Sequence, residues 1–155
     1  MLYEKLLNEA DRQGIYIYED ILKPRIKGLY GDNVICINKI IETNTEKACV
    51  LAEEIGHYHT SSGDILDQSK LANKKQEKRA RNWAYERLVP LDGLVKAYKL
   101  GVRNRYELAD YLGVTEKFVD DSIDRYKEEF GLCTTINEKY TIYFEPLGVL
   151  EKFNP

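Results

Sequence analysis

Met and Trp each occur once in the 155 residues, and Cys three times, as Cys36, Cys49 and Cys133. An odd number of cysteines, with no two at CxxC spacing, rules out a complete disulfide framework and a thiolate zinc cluster. Reduced, buried thiols are expected instead, as in a reducing compartment. A basic excess is also missing. Net charge is −3 and the isoelectric point is near 5.5, against the sign that a general nucleic-acid binder carries. No apolar run approaches membrane-spanning length. The first residues, MLYEKLLNEADRQG, lack the basic start and apolar stretch of a secretory leader, so a cytoplasmic protein is expected. There is no internal repeat and no low-complexity segment.

What is present is an ordinary globular mixture, 43% hydrophobic and 32% charged, enough for one compact core or a core with an appendage. Tyr is abundant, at 12, and suits half-buried positions, with an apolar body and a polar tip.

Periodicity gives the element order. Leu2, Tyr3, Leu6, Leu7 and Ala10 share one face of a helix ended by Gly14. Residues 15–18 read as a short strand, and Pro24 lies in a connecting loop. Residues 26–31 and 33–40 read as two strands joined by a Gly-Asp-Asn turn. Ile35 and Ile37 alternate with Cys36 and Asn38, so one face of the second should be more buried than the other. Thr43 and Glu46 have capping-box spacing at the head of a helix over 45–60. Ser61, Ser62, Gly63 and Asp64 end it, and a second helix over 67–88 stops before Pro90. Shorter helices follow at 92–100, 104–112 and 115–129, the last closed by Gly131. The tail returns to strand as a hairpin, Cys133–Ile136 with Tyr140–Phe144.

The informative stretch is LAEEIGHYHT, residues 51–60. Residues four apart on a helix share a face, so Glu53 and His57 project side by side, with Glu54 offset around the axis. This is the geometry of the HExxH metallopeptidase motif, in which positions 1 and 5 hold the metal and position 2 is the general base. Here position 1 is Glu. A carboxylate binds zinc at nearly the same distance as an imidazole but is harder and charged. Two carboxylates and an imidazole also suit manganese or iron. Two acids followed by a His also arise on solvated helices, so EExxH alone does not settle the matter. His59 points to another face, towards a supporting or surface role.

LAEEIGHYHT together with EKRARNWAYERLVP, residues 77–90, resembles the ImmA/IrrE family of metallo-endopeptidases. Its members carry a helix resembling LAHELGH and then one of the form ExxAxxFAxxLLxP. The second pattern is met at Glu77, Ala80, Trp83 (for Phe), Ala84, Leu88 and Pro90, with Arg87 at the first Leu position and Val89 beside Pro90. KGLYGDNVICINKIIETNTEKACVLAEE is similar to the family's sheet leading into the first helix. TIYFEPLGVL resembles the end of phage-type members. By position, the resemblance implies metal ligands at Glu53, His57 and Glu77 and a catalytic base at Glu54. It implies Zn2+, with Mn2+ or Fe2+ as alternatives given two carboxylate ligands. The alternative for Glu77 taken alone is a surface acid in the run KKQEKRAR. A Tyr, His59 or an Arg could stabilise the oxyanion, and the sequence selects none of them.

In the second half, Ala109, Gly113 and Val119 stand at helix-turn-helix spacing. From Thr115 to Phe130 there are six acids and three bases (Lys117, Arg125, Lys127), the wrong balance for a helix meeting phosphates. A packing unit or a protein-docking surface is the better reading. The run Lys74, Lys75, Lys78, Arg79 and Arg81 reads as the exposed face of the Glu77 helix. Tyr98, Tyr106, Tyr111 and Tyr126 are expected to be partly buried.

The expected class is α+β. A small mixed sheet with an N-terminal helix and two antiparallel metal-site helices, zincin-like, occupies 1–90. A helix-turn-helix-like segment with a C-terminal hairpin follows over 91–155, packed on the first. The expected function is a metal-dependent endopeptidase. The resemblance implies a protein substrate, a helix-turn-helix repressor of a phage or mobile element. The alternative is an inactive relative that binds such a partner without cutting it.

Overall fold

A computed structural model describes residues 1–60 and 70–152. In it the chain is a mixed α+β protein that divides into two compact units, Met1–Ala84 and Tyr85–Pro155. Among the described residues no helix is long and apolar enough to cross a membrane. The expected end of the first site helix at residues 61–64, and the start of the second at 67, lie outside the described residues.

In the first unit, α1 (Leu2–Arg12) buries Tyr3, Leu6 and Ala10 on one face. Three strands follow: β1 (Tyr16–Asp20), β2 (Gly28–Gly31) and β3 (Val34–Asn38). Their order is β1-β3-β2, with β1 parallel and β2 antiparallel to β3, so the sheet is mixed. The β2–β3 turn places Asp32 and Asn33 at positive φ, 48° and 63°. Such a pair belongs to the primed turns that match strand twist, and Asn and Asp tolerate it. Helix α2 (Asn44–Thr60) crosses the sheet, and α3 (Lys70–Leu88) follows. At the head of α2 the Thr43 hydroxyl accepts the Glu46 N–H at 3.1 Å, as the capping spacing predicts, while the Glu46 carboxylate reaches Lys27 Nζ at 2.6 Å. Leu6, Ala10, Ile35, Ile37, Leu51 and Ile55 form a core closed to solvent.

Strand β3 departs from the expected alternation, since Ile35 to Asn38 are all buried. It is the central strand, and the Asn38 amide is consumed by the loop before β2. Its Oδ1 accepts the N–H groups of Leu22 and Ile40, each at 3.2 Å. Its Nδ2 donates to the carbonyls of Leu22, Lys23 and Ile26, the last at 2.8 Å. A buried amide so fully satisfied costs little and fixes the path into β2.

The second unit holds α4 (Leu91–Lys99), α5 (Arg105–Leu112) and α6 (Glu116–Phe130) with a second sheet. Asn104 and Thr115 cap α5 and α6 by accepting the N–H groups of Glu107 and Phe118. Gly113 supplies the left-handed turn between them, φ 76°, and Ala109 and Val119 pack inward as the helix-turn-helix spacing predicts. The three bases of α6 are all tied to acids: Lys117 to Asp121, Arg125 to Glu86 and Glu129, and Lys127 to Glu145.

The tail carries one strand more than the expected hairpin. Strands β4 (Cys133–Ile136), β5 (Tyr140–Phe144) and β6 (Leu147–Glu151) form an antiparallel meander. Tyr126 stacks on Phe144 and donates its hydroxyl to the Val89 carbonyl at 2.7 Å. Tyr98, Tyr106 and Tyr111, expected to be partly buried, are exposed, and so is Cys133, whereas Cys36 and Cys49 are buried thiols.

Candidate metal centre

Helix α2 turns Ala48, Leu51, Ala52 and Ile55 into the core. That rotation leaves Glu53 and His57, one turn apart, at the margin where α3 arrives. Gly56 lets α3 approach. A β-carbon on Gly56 would stand 2.3 Å from the Ala80 carbonyl oxygen, so only glycine fits this crossing.

The crossing brings Glu77 to the pair. Glu53, His57 and Glu77 each offer one ligand atom, and these atoms all lie within 4.8 Å of one another. His57 Nε2 is 3.4 Å from Glu77 Oε1. Ligands bonded at about 2.1 Å to a tetrahedral ion stand roughly 3.4 Å apart, so small rotations of two carboxylates suffice to enclose one. The donor set, two carboxylates and an imidazole, fits zinc, manganese or ferrous iron.

Glu54 lies in the same cavity, of about 350 Å³, whose walls include Gly28 and Tyr30 of β2 and His57, Asn73, Gln76 and Glu77. Glu54 is 9% exposed. Strand β2 presses directly on it: a β-carbon on Gly28 would meet Val50 Cγ1 at 2.9 Å and Glu54 Oε1 at 3.1 Å. Burial, and then the carboxylates of Glu53 and Glu77, push the Glu54 carboxyl up to about 8. Glu53 is also raised by burial, opposed by the Arg81 guanidinium. Arg81 Nε stands 4.0 Å from Glu53 Oε1.

Among the side chains considered for oxyanion stabilisation, Tyr30 lines the cavity, its ring nearly parallel to His57 at 6.4 Å between centroids. His59 stacks on Trp83 at 4.8 Å, away from the cavity lining, which gives it a packing partner. Nothing in the sequence marks Gly28, Tyr30, Asn73 or Gln76 as lining residues. The Gly-Leu-Tyr-Gly strand could have indicated a close approach only once its position over α2 was known.

The model of the family described as the IrrE N-terminal-like domain, Peptidase_M78, matches residues 10–124. The chain belongs to this family. The match spans the first sheet, both site helices and the helix-turn-helix-like pair, so the peptidase-type fold extends beyond the EExxH helix. No curated protein and no solved structure matches the chain.

Proposed function

We propose that this IrrE-like chain is a metal-dependent endopeptidase, with Glu53, His57 and Glu77 as ligands and Glu54 as the proton-transfer group. The observation that carries the reading is the approach of three donor atoms from two helices to within 4.8 Å, with His57 and Glu77 lining one cavity together with the buried Glu54 carboxyl. A divalent cation held there would supply a Lewis acid that acidifies water and polarises the scissile carbonyl. Zinc is the first choice, with manganese or iron as alternatives.

Glu54 is neighbour to Glu53 in the chain and lines the same cavity as His57 and Glu77. As general base its carboxylate takes the proton of the attacking water, and as the resulting acid it passes that proton to the leaving nitrogen. A cation held by Glu53 and Glu77 would offset the two carboxylates that help raise its pKa, leaving the ionised form available as the base. Strand β2 is an edge strand, with no strand partner on its outer side among the described residues. An extended substrate segment can pair there, which orients a peptide bond above the cavity.

The proposed substrate is a helix-turn-helix repressor of a phage or mobile element, which the resemblance to ImmA/IrrE peptidases supports. Direct DNA binding through α6 finds no support in its charges, since its three bases are already paired with acids. The second reading, a partner-binding protein that does not cut, draws on Glu53 and the cation at 4.0 Å from it.

Incubation of the metal-loaded chain with a helix-turn-helix repressor of a phage or mobile element tests the proposal. Cleavage by wild type, lost in a Glu54→Gln variant that retains its metal, supports the peptidase. Stable complex formation without any cut product supports the second reading and overturns the first.

A further inference from the structure

We propose that Arg81 is the built-in counter-cation of the metal-free site, and that metal uptake works against its charge. The inference rests on the metal-site reading of Glu53, His57 and Glu77.

Arg81 follows Glu77 by one turn on α3, so the two share a face. Its Nε comes to 4.0 Å from Glu53 Oε1, across the crossing made by Gly56 and Ala80. Three carboxyl groups, Glu53, Glu54 and Glu77, gather around this site, and the first two are partly or fully buried. Without a cation they repel one another. The Arg81 guanidinium stands 4.0 Å from the Glu53 carboxylate, whereas Lys27 is bound to Glu46 at 2.6 Å. An arginine cannot relieve the repulsion by losing its own charge, so the compensation is permanent.

The charge count explains why this chain needs it. A dication with two imidazoles and one carboxylate carries a net +1. Replacing the first imidazole by Glu53 brings that sum to zero. Arg81 returns the neighbourhood to +1 without occupying a coordination position. It thus answers the departure from HExxH at a position the motif leaves open. The same charge must oppose an arriving dication. At about 4–6 Å and an effective dielectric near 20, that opposition is large enough to change affinity severalfold, even after discounting for a half-exposed side chain.

The alternative is an ordinary surface ion pair of α3, which would leave metal affinity untouched. Zinc titration of the chelator-stripped full chain, in competition with a chromophoric chelator, separates the two. Arg81→Gln should bind zinc about tenfold more tightly than wild type, while its metal-free form melts at a lower temperature. Arg81→Lys, which keeps the charge, should stay within about threefold of wild type. Equal or weaker zinc binding by Arg81→Gln overturns the counter-cation. So does a Lys variant that behaves like the Gln variant. Failure of wild type to bind zinc, manganese or ferrous iron would instead remove the metal-site reading itself, and the inference with it.

Discussion

Gly56 and Ala80 touch backbone to backbone, with a β-carbon on Gly56 placed 2.3 Å from the Ala80 carbonyl oxygen. This contact sets the separation of α2 and α3, and so the distance from Glu53 and His57 to Glu77. The obstacle is main chain and cannot rotate away. Gly56→Ala should therefore cost about 1–3 kcal/mol in denaturant unfolding, by overpacking. It should also weaken metal binding at least tenfold, although no ligand is altered. A variant with wild-type metal affinity would show that the crossing does not set the site.

Gly28 plays the corresponding part on the other wall. Its β-carbon would press on Val50 and on the Glu54 carboxyl, at 2.9 and 3.1 Å. Gly28→Ala is expected to shift Glu54 and leave Glu53, His57 and Glu77 in place. Metal content should stay near wild type while cleavage falls at least tenfold, a loss that follows from misplacing a proton-transfer group. Joint loss of metal and cleavage would assign Gly28 a general structural role instead.

Glu54 makes the metal-free protein sensitive to pH. Its carboxyl ordinarily titrates at 4.5 and in the fold at about 8, so the native state holds the proton more strongly than the unfolded chain. The stability it contributes is complete below pH 4.5 and is lost as pH rises through 8. Chelator-treated wild type should weaken across that window relative to Glu54→Gln, which stays neutral throughout. The difference should approach about 5 kcal/mol at most, on the order of 1.4 kcal/mol per pKa unit between 4.5 and about 8. Urea melts of both proteins at several pH values measure it, and parallel curves would refute it.

Asn38 is 1% exposed and holds the loop before β2 through bonds to Leu22, Lys23, Ile26 and Ile40. Replacement by Ala removes the bonds it makes to the backbone of Leu22, Lys23, Ile26 and Ile40, which are part-buried. A loss of about 2–4 kcal/mol is expected, at about 1 kcal/mol or more per bond. Hydrogen exchange should quicken first at residues 22–28. Unchanged exchange there would mean the loop is held by other contacts.

Much of this was legible in the sequence because the signals were local. Helical spacing put Glu53 and His57 on one face, the Thr43–Glu46 spacing marked the head of α2, and Gly113 marked the turn between α5 and α6. Glu77 came from resemblance, since a turn of unknown path separates it from His57. What escaped depends on contacts between distant segments. Asn38 looked like one polar member of an alternating strand, yet its burial follows from a loop twelve to sixteen residues away. Strand β6 was missed because Leu147–Gly148 shows no alternation and gains its order from pairing with Phe144 and Tyr143. Arg81 read as part of a solvated basic run, and only the helix crossing brings it to Glu53.

The central claim is that Glu53, His57 and Glu77 share one cation. Metal analysis of the full chain after zinc loading and gel filtration addresses it most directly, with His57→Ala and Glu77→Gln measured alongside. The account predicts about one zinc per wild-type chain and less than about a tenth of that in either variant. A wild type without metal, or variants that keep theirs, would contradict it.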